Sequence, residues 1–201
     1  MRFSGDGVVA LKVRKPGKGV YVDALVLTLA SPPAPPPPGT PKPAPGEVIF
    51  TEWLSNPDSI TESNGEWFEL LNLTTKTLDL NGCTVTNQAS ASSTLSASHM
   101  LANNVFVFAR NTDPAQNGGI IVDGLSTVPL LSSGSLTLAC AGVTIDAVSW
   151  SGETSGQTAS LDPDHNTAAD NDVAANYCLG AIGYGTGGDL GTPLGYNPQC
   201  P

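Results

Sequence analysis

Three observations predict an all-β chain organised around a two-sheet β-sandwich. From residue 47 onward, short apolar runs alternate with turn residues, and no run sustains the 3.6-residue period of a helix. About seven such runs fall within about 110 residues, the strand density of a sandwich. The composition agrees. With 22 glycines, 6% aromatic residues, 13% charged residues and four cysteines in 201 residues, the chain resembles an extracellular β-protein more than a cytosolic enzyme.

The elements follow in order. Residues 1–30 carry VVALKVR and VYVDALVLTLA on either side of KPGKG, the pattern of a β-hairpin with Pro16 and Gly17 in the turn. Its second strand is apolar on both faces, with Tyr21, Leu25, Leu27 and Leu29 opposite Val20, Val22, Ala24 and Val26. Such a strand needs cover, and a lone hairpin is marginal in water. Residues 1–30 are therefore read as the remnant of an upstream β-sandwich domain; the alternative is a hairpin packed on the main body. Residues 31–46, SPPAPPPPGTPKPAPG, hold nine prolines in sixteen positions. Proline lacks the backbone donor that helices and sheets require, so this segment is expected to be an extended linker spanning on the order of 50 Å.

Residues 47–161 hold the strand candidates: VIFTEWL (48–54), EWFELLNL (66–73), LDLNGCTVTN (78–87), NNVFVFAR (103–110), GIIVDG (119–124), GSLTLAC (134–140) and TIDAVSW (144–150). Residues 162–201 show little strand pattern. They are rich in Gly, Asp and Asn, hold Cys178 and Cys200, and are read as an acidic tail stapled by a disulfide.

The charge is uneven. Residues 1–46 hold six basic and two acidic side chains, whereas residues 47–201 hold two basic and sixteen acidic ones. A body that acidic repels phosphate backbones, which argues against a nucleic-acid partner. No apolar run reaches the roughly 18 residues of a membrane span. The even cysteine count points to disulfides and to an extracellular or cell-surface location. No secretory h-region follows Met1, so the start is read as internal, with coding sequence missing upstream.

The stretch GEWFELLNL (65–73) raises the question of chemistry, because Glu66 and Glu69 flank two aromatics. On a strand, Glu66, Phe68 and Leu70 share one face and Trp67, Glu69 and Leu71 the other. Glycoside hydrolysis needs two carboxyl groups converging on one bond at about 5 to 9.5 Å, which this parity forbids for Glu66 and Glu69. Glu52, in FTEWL, could approach one of them from an adjacent strand. The chain has no G-x-S-x-G elbow, P-loop or zinc-spaced Cys/His cluster. His99 and His165 stand alone.

VIFTEWLSNP followed by GEWFELLNLTTKTLDLNGCTVTN resembles the lamin tail domain family, which opens with I-x-E-I-x-x-N-P, then GEW-x-EL-x-N, then D-L-x-G-W-x-L. Cys83 stands where that family often has Trp. NNVFVFARN, LSSGSLTLACAGVTIDAVSW and QTASLDPD continue the resemblance in order over about residues 47–161. The resemblance implies an immunoglobulin-like β-sandwich used as an accessory module of secreted or surface bacterial proteins, without catalytic residues. It assigns Glu52, Glu66, Trp67, Glu69, Asn72, Asp79 and Gly82 to the structural motif. The glutamates are expected to accept hydrogen bonds from turn N–H groups at the sandwich end.

Three further features complete the expectations. DPDHNTAADND (162–172) offers Asp162, Asp164, Asn166, Asp170 and Asp172 as oxygen ligands for calcium, yet it lacks the glycine and glutamate of an EF-hand. The plainer reading is a loop of Asx turns, and no cofactor is expected. The four cysteines allow three pairings; Cys83–Cys140 and Cys178–Cys200 are favoured, because Cys83 and Cys140 sit in strand patterns and the other two bracket a loop. Trp53, Trp150 and Tyr184 would stack on sugars if exposed in a row, whereas core packing is the alternative. The sequence thus predicts a monomeric, non-catalytic interaction module with an unidentified protein, envelope or glycan partner. The competing reading is a glycan- or cell-wall-binding module assisted by calcium.

Overall fold

The computed structural model describes residues 8–11, 25–28, 39–97, 99–152 and 154–201. The strands are β1 (Val8–Leu11), β2 (Leu25–Thr28), β3 (Val48–Leu54), β4 (Trp67–Asn72), β5 (Thr84–Asn87), β6 (Ser92–Thr94), β7 (Val105–Ala109), β8 (Gly124–Leu125), β9 (Ser133–Cys140), β10 (Val143–Ser151), β11 (Ala159–Leu161) and β12 (Tyr177–Leu179). One short helix, α1 (Glu62–Gly65), precedes β4. The chain divides into two compact units, residues 1–35 and 36–201. In the first unit, β1 and β2 pair antiparallel, with Val8 opposite Thr28. The expected turn at Pro16 and Gly17 lies outside the described residues, as do residues 31–38 of the proline tract.

The second unit is all-β and sandwich-like. A six-stranded sheet runs in the order β12-β11-β3-β4-β7-β8, and a four-stranded sheet in the order β10-β9-β5-β6. The main core lies between them. Phe50, Phe68, Leu70 and Phe108 from the larger sheet meet Val85, Leu136, Leu138 and Val148 from the smaller. Phe68 packs edge-on to Phe50 at 5.6 Å and stacks on Phe108 at 5.5 Å. Cys83 and Cys140 are bridged on the inner face of the four-stranded sheet, and Cys178 and Cys200 are bridged in the tail.

One strand expectation is corrected. GIIVDG (119–124) does not form a strand; only Gly124–Leu125 pairs, parallel to β7. Gly118 and Gly119 take φ of +81° and +87°, and the Asn117 side chain holds Gly119 and Ile120, so the backbone turns where the apolar run predicts extension. The C-terminal part of the proline-rich segment lies against the body. Pro41 accepts from Asp79 N–H, Gly46 donates to Ile145, and Pro43 is buried, so the segment from Pro41 is docked on the body. Within residues 162–201, β12 completes the larger sheet, and residues 36–201 form one unit.

Candidate functional site

At β3 and β4, in the middle of the six-stranded sheet, both faces are covered: every residue of these two strands is buried. Leu54, Trp67, Val107, Ala109 and Ile120 form one small outer cluster, and Ile49, Leu71, Val105 and Leu161 form another. Both aromatics of GEWFELLNL are therefore interior. Phe68 fills the main core, while Trp67 lies on the opposite face and donates from Nε1 to Tyr184 Oη at 2.9 Å.

A β-bulge in β3 decides which acids meet. Phe50 pairs with Leu70, but Glu52, not Thr51, pairs with Glu69. The extra residue places Thr51 and Glu52 together on the outer face and restores Trp53 to the core. Glu52 and Glu69 thus become neighbours on adjacent strands, which strict alternation from Phe50 would forbid. Glu66 stays apart, as the parity of β4 requires. It accepts from Leu130 N–H at 3.0 Å and from the Arg110 guanidinium at 2.9 Å, tying β4 to the segments after β7 and before β9.

The tail closes over the Glu52–Glu69 pair. Glu52 Oε1 accepts from the hydroxyls of Thr158 and Ser160, each at 2.7 Å. Thr192 donates its N–H to both oxygens of Glu52 and its hydroxyl to Oε2. Glu69 takes the Thr51 hydroxyl at 2.9 Å and Leu194 N–H at 3.1 Å. Asn197 Nδ2 donates to the carbonyls of Thr51 and Leu161, both at 3.0 Å. The donors to Glu52 thus come from Thr158, Ser160 and Thr192, and those to Glu69 from Thr51 and from Leu194 N–H, which lies in a turn of the tail. The backbone approaches so closely that a Cβ on Gly191 would lie 2.6 Å from Thr158 Cγ2 and 3.1 Å from Glu52 Oε1.

Burial dominates the electrostatics. It raises the pKa of Glu52 above the ordinary carboxyl value, against the pull of its hydrogen bonds. Glu69 is pushed up to about 9, first by burial and then by the facing charge of Glu52. Glu66 is also raised by burial, despite Leu130 N–H and Arg110. Two carboxyl groups pressed together in a dry layer favour the protonated state of at least one. Their oxygens are already engaged by the protein's own donors, so the pair has the character of an internal clasp.

The remaining motif residues also hold chain to chain. Asn72 donates to the carbonyls of Lys76, Met100 and Leu101 and accepts from Thr74. Asp79 pairs with Lys42 at 2.9 Å and accepts from Asn81 N–H. Gly82 takes φ of +80° in the turn before β5. The DPDHNTAADND loop does not converge on a point. Asp162 accepts from Asp164 N–H, Gln199 and Cys200 N–H; Asp164 accepts from Gln199; Asp170 accepts from Thr167. Asn166 caps the short 3₁₀ turn Pro163–His165, and Asp172 lies two residues beyond Asp170. Among the described residues, no three His, Cys, Asp or Glu side chains are grouped to hold a metal.

Sequence reasoning missed Asp146. It sits at a second bulge, opposite Leu138, and accepts from Phe50 N–H at 2.8 Å and from Asn171 Nδ2 at 2.7 Å. It therefore links the two sheets. Burial pushes its carboxyl up to about 6. Asp189 and Asn197 were missed too. Asp189 anchors Asp58 N–H and the Ser59 hydroxyl to the tail. In hindsight, an Asp or Asn beside glycines in an otherwise featureless tail is the signal, since such residues organise loops through side chain to backbone bonds.

The three candidate stacking aromatics do not form an exposed row. Trp53 is 3% exposed and lies between Trp150, at 4.9 Å, and Tyr177, at 4.8 Å. Tyr184 packs on Trp67 at 5.8 Å. Tyr184 is partly open, and so is Trp150. Trp150 borders a cleft of about 290 Å³ lined by Trp53, Gln157, Thr154, Ser151 and Leu179, among others. Compared with known proteins, the chain matches no family model, no curated protein and no solved structure.

Proposed function

We propose that residues 47–161, with their tail, are an immunoglobulin-like module of the lamin tail type that performs no chemistry and tethers or positions a larger secreted or cell-surface protein. One observation carries the reading: Glu52, Glu66 and Glu69, the acids best placed for acid–base work, are buried and hold the chain's own loops and tail. A catalytic acid needs a path to substrate, and these have protein above them. The ordered resemblance over residues 47–161 supports the family, and two disulfides are compatible with an oxidising compartment. No helix among the described residues is long and apolar enough to cross a membrane.

The test pairs turnover with retention. The purified chain is assayed against a panel of glycoside, ester and phosphoester substrates, and for sedimentation with isolated bacterial envelopes. The expected result is no turnover and saturable retention. Turnover that Glu52→Gln or Glu69→Gln abolishes, without loss of folding, would overturn the non-catalytic reading. Absence of retention on any envelope would overturn the tethering reading.

A further inference from the structure

We infer that the cleft beside Trp150 binds a short neutral saccharide. The inference rests on the reading of the chain as a binding module and names the class of its ligand. The cleft lies where the C-terminal end of β10, on the edge of the four-stranded sheet, approaches β11 and β12, on the edge of the six-stranded sheet. Its volume is about 290 Å³, at the lower limit of small-ligand sites, which begin at about 300 Å³.

The lining carries three properties that a pyranose requires. The first is a fixed aromatic platform. Trp150 donates from Nε1 to the Leu131 carbonyl at 2.9 Å, lies 4.9 Å from Trp53 and sits so close to Gly134 that a Cβ there would be 2.7 Å from the indole, so the ring is held by a hydrogen bond, an aromatic neighbour and a glycine backbone. A ring anchored in this way offers an apolar face to sugar C–H groups at little cost in side-chain entropy. The second is polarity around that platform. Ser151, Thr154 and Gln157 border the cleft, and Gln157 is oriented by donating from Nε2 to the Gly180 carbonyl at 3.0 Å. Hydroxyls and amides can both donate and accept, as sugar hydroxyls do. The third is a want of positive charge. The described lining residues are all uncharged, and residues 150–160 include one acid, Glu153, and no base. The surrounding body carries sixteen acids against two bases between residues 47 and 201, which disfavours acidic sugars.

The full chain is titrated by calorimetry and tryptophan fluorescence with short neutral oligosaccharides of gluco, xylo, manno and N-acetylglucosamine type, with a glucuronic-acid oligomer as the charged control. The inference expects one neutral series to bind and shift the fluorescence, with the acidic control weaker. Trp150→Ala is expected to abolish binding, Trp150→Phe to retain it, and Gln157→Ala to weaken it by about fivefold, the loss of one hydrogen bond. No binding by any neutral series, or binding that survives Trp150→Ala, would overturn it. So would an extended peptide that competes for the cleft by pairing with β12, because that outcome makes the site a sheet edge for protein. Envelope retention that persists in Trp150→Ala would refute the cleft and leave the tethering reading standing.

Discussion

Replacing Glu69 with Gln should stabilise this protein at neutral pH and flatten its pH dependence. The folded carboxyl titrates at about 9, against 4.5 for the free group. Between those values the folded chain binds one proton that the unfolded chain has released, so stability is complete below about pH 4.5 and declines as pH rises towards 9. At pH 7 the penalty is 2.303RT times the distance above the free value, about 3 kcal/mol as an upper bound. Gln keeps the shape of the protonated acid. Its carbonyl can accept from Leu194 N–H, and its amide can donate to the Thr51 hydroxyl, replacing the two present bonds. For a domain of this size 1 kcal/mol shifts Tm by about 2–4 °C, so the gain at pH 7 is up to about 6–12 °C, with almost none at pH 4. Differential scanning calorimetry of both proteins at intervals from pH 4 to 9 provides the assay. A variant that melts lower at pH 7, or that keeps the parent's slope, would mean that Glu69 is ionised in the fold, and the reasoning would fail.

Further substitutions test the other supports. Asp146→Ala strands Phe50 N–H and the Asn171 amide at the sheet-to-sheet link, and urea unfolding should show a loss of about 3 kcal/mol, with Asp146→Asn losing less. Changing Cys178 and Cys200 to Ser opens a bridge spanning 22 residues and should cost about 3 kcal/mol by loop entropy, read as a Tm drop that reductant no longer deepens at that bridge. Phe68→Ala removes a ring wedged between Phe50 and Phe108; chemical denaturation should report a loss of about 3–5 kcal/mol. Gly191→Val forces branched carbon against Thr158 and Glu52, and limited proteolysis should then cut the tail ahead of the sandwich.

Much of the fold is written in the strand patterns. VIFTEWL, apolar at five of its seven positions, occupies β3 over the same residues and is buried on both faces, whereas GSLTLAC sets apolar side chains at every second position and pairs with TIDAVSW in the β9–β10 hairpin. Ser92–Thr94 and Tyr177–Leu179 carry no such alternation; they are short edge strands recruited by the ladders of β5 and β11. The candidate site was half legible. The parity of β4 separates Glu66 from Glu69, but the meeting of Glu52 with Glu69 depends on one bulged residue, which has no signature in VIFTEWL. The tail's role was hidden for another reason. Its contacts are backbone N–H groups and Asn, Asp and Thr side chains, which composition reads as solvated loop.

The reach of that tail has a consequence for the order in which the protein assembles. Thr192 lies 140 residues beyond Glu52, and Asn197 lies 146 beyond Thr51. Contacts so distant along the chain close late, after the local hairpins that seed a β-fold. Until they do, Glu52 and Glu69 face water and behave as ordinary acids, ionised at neutral pH. The last closing step of this body is then also a proton-uptake step. The closed state should therefore be less favoured as the medium becomes alkaline, the direction in which the Glu69 proton is lost.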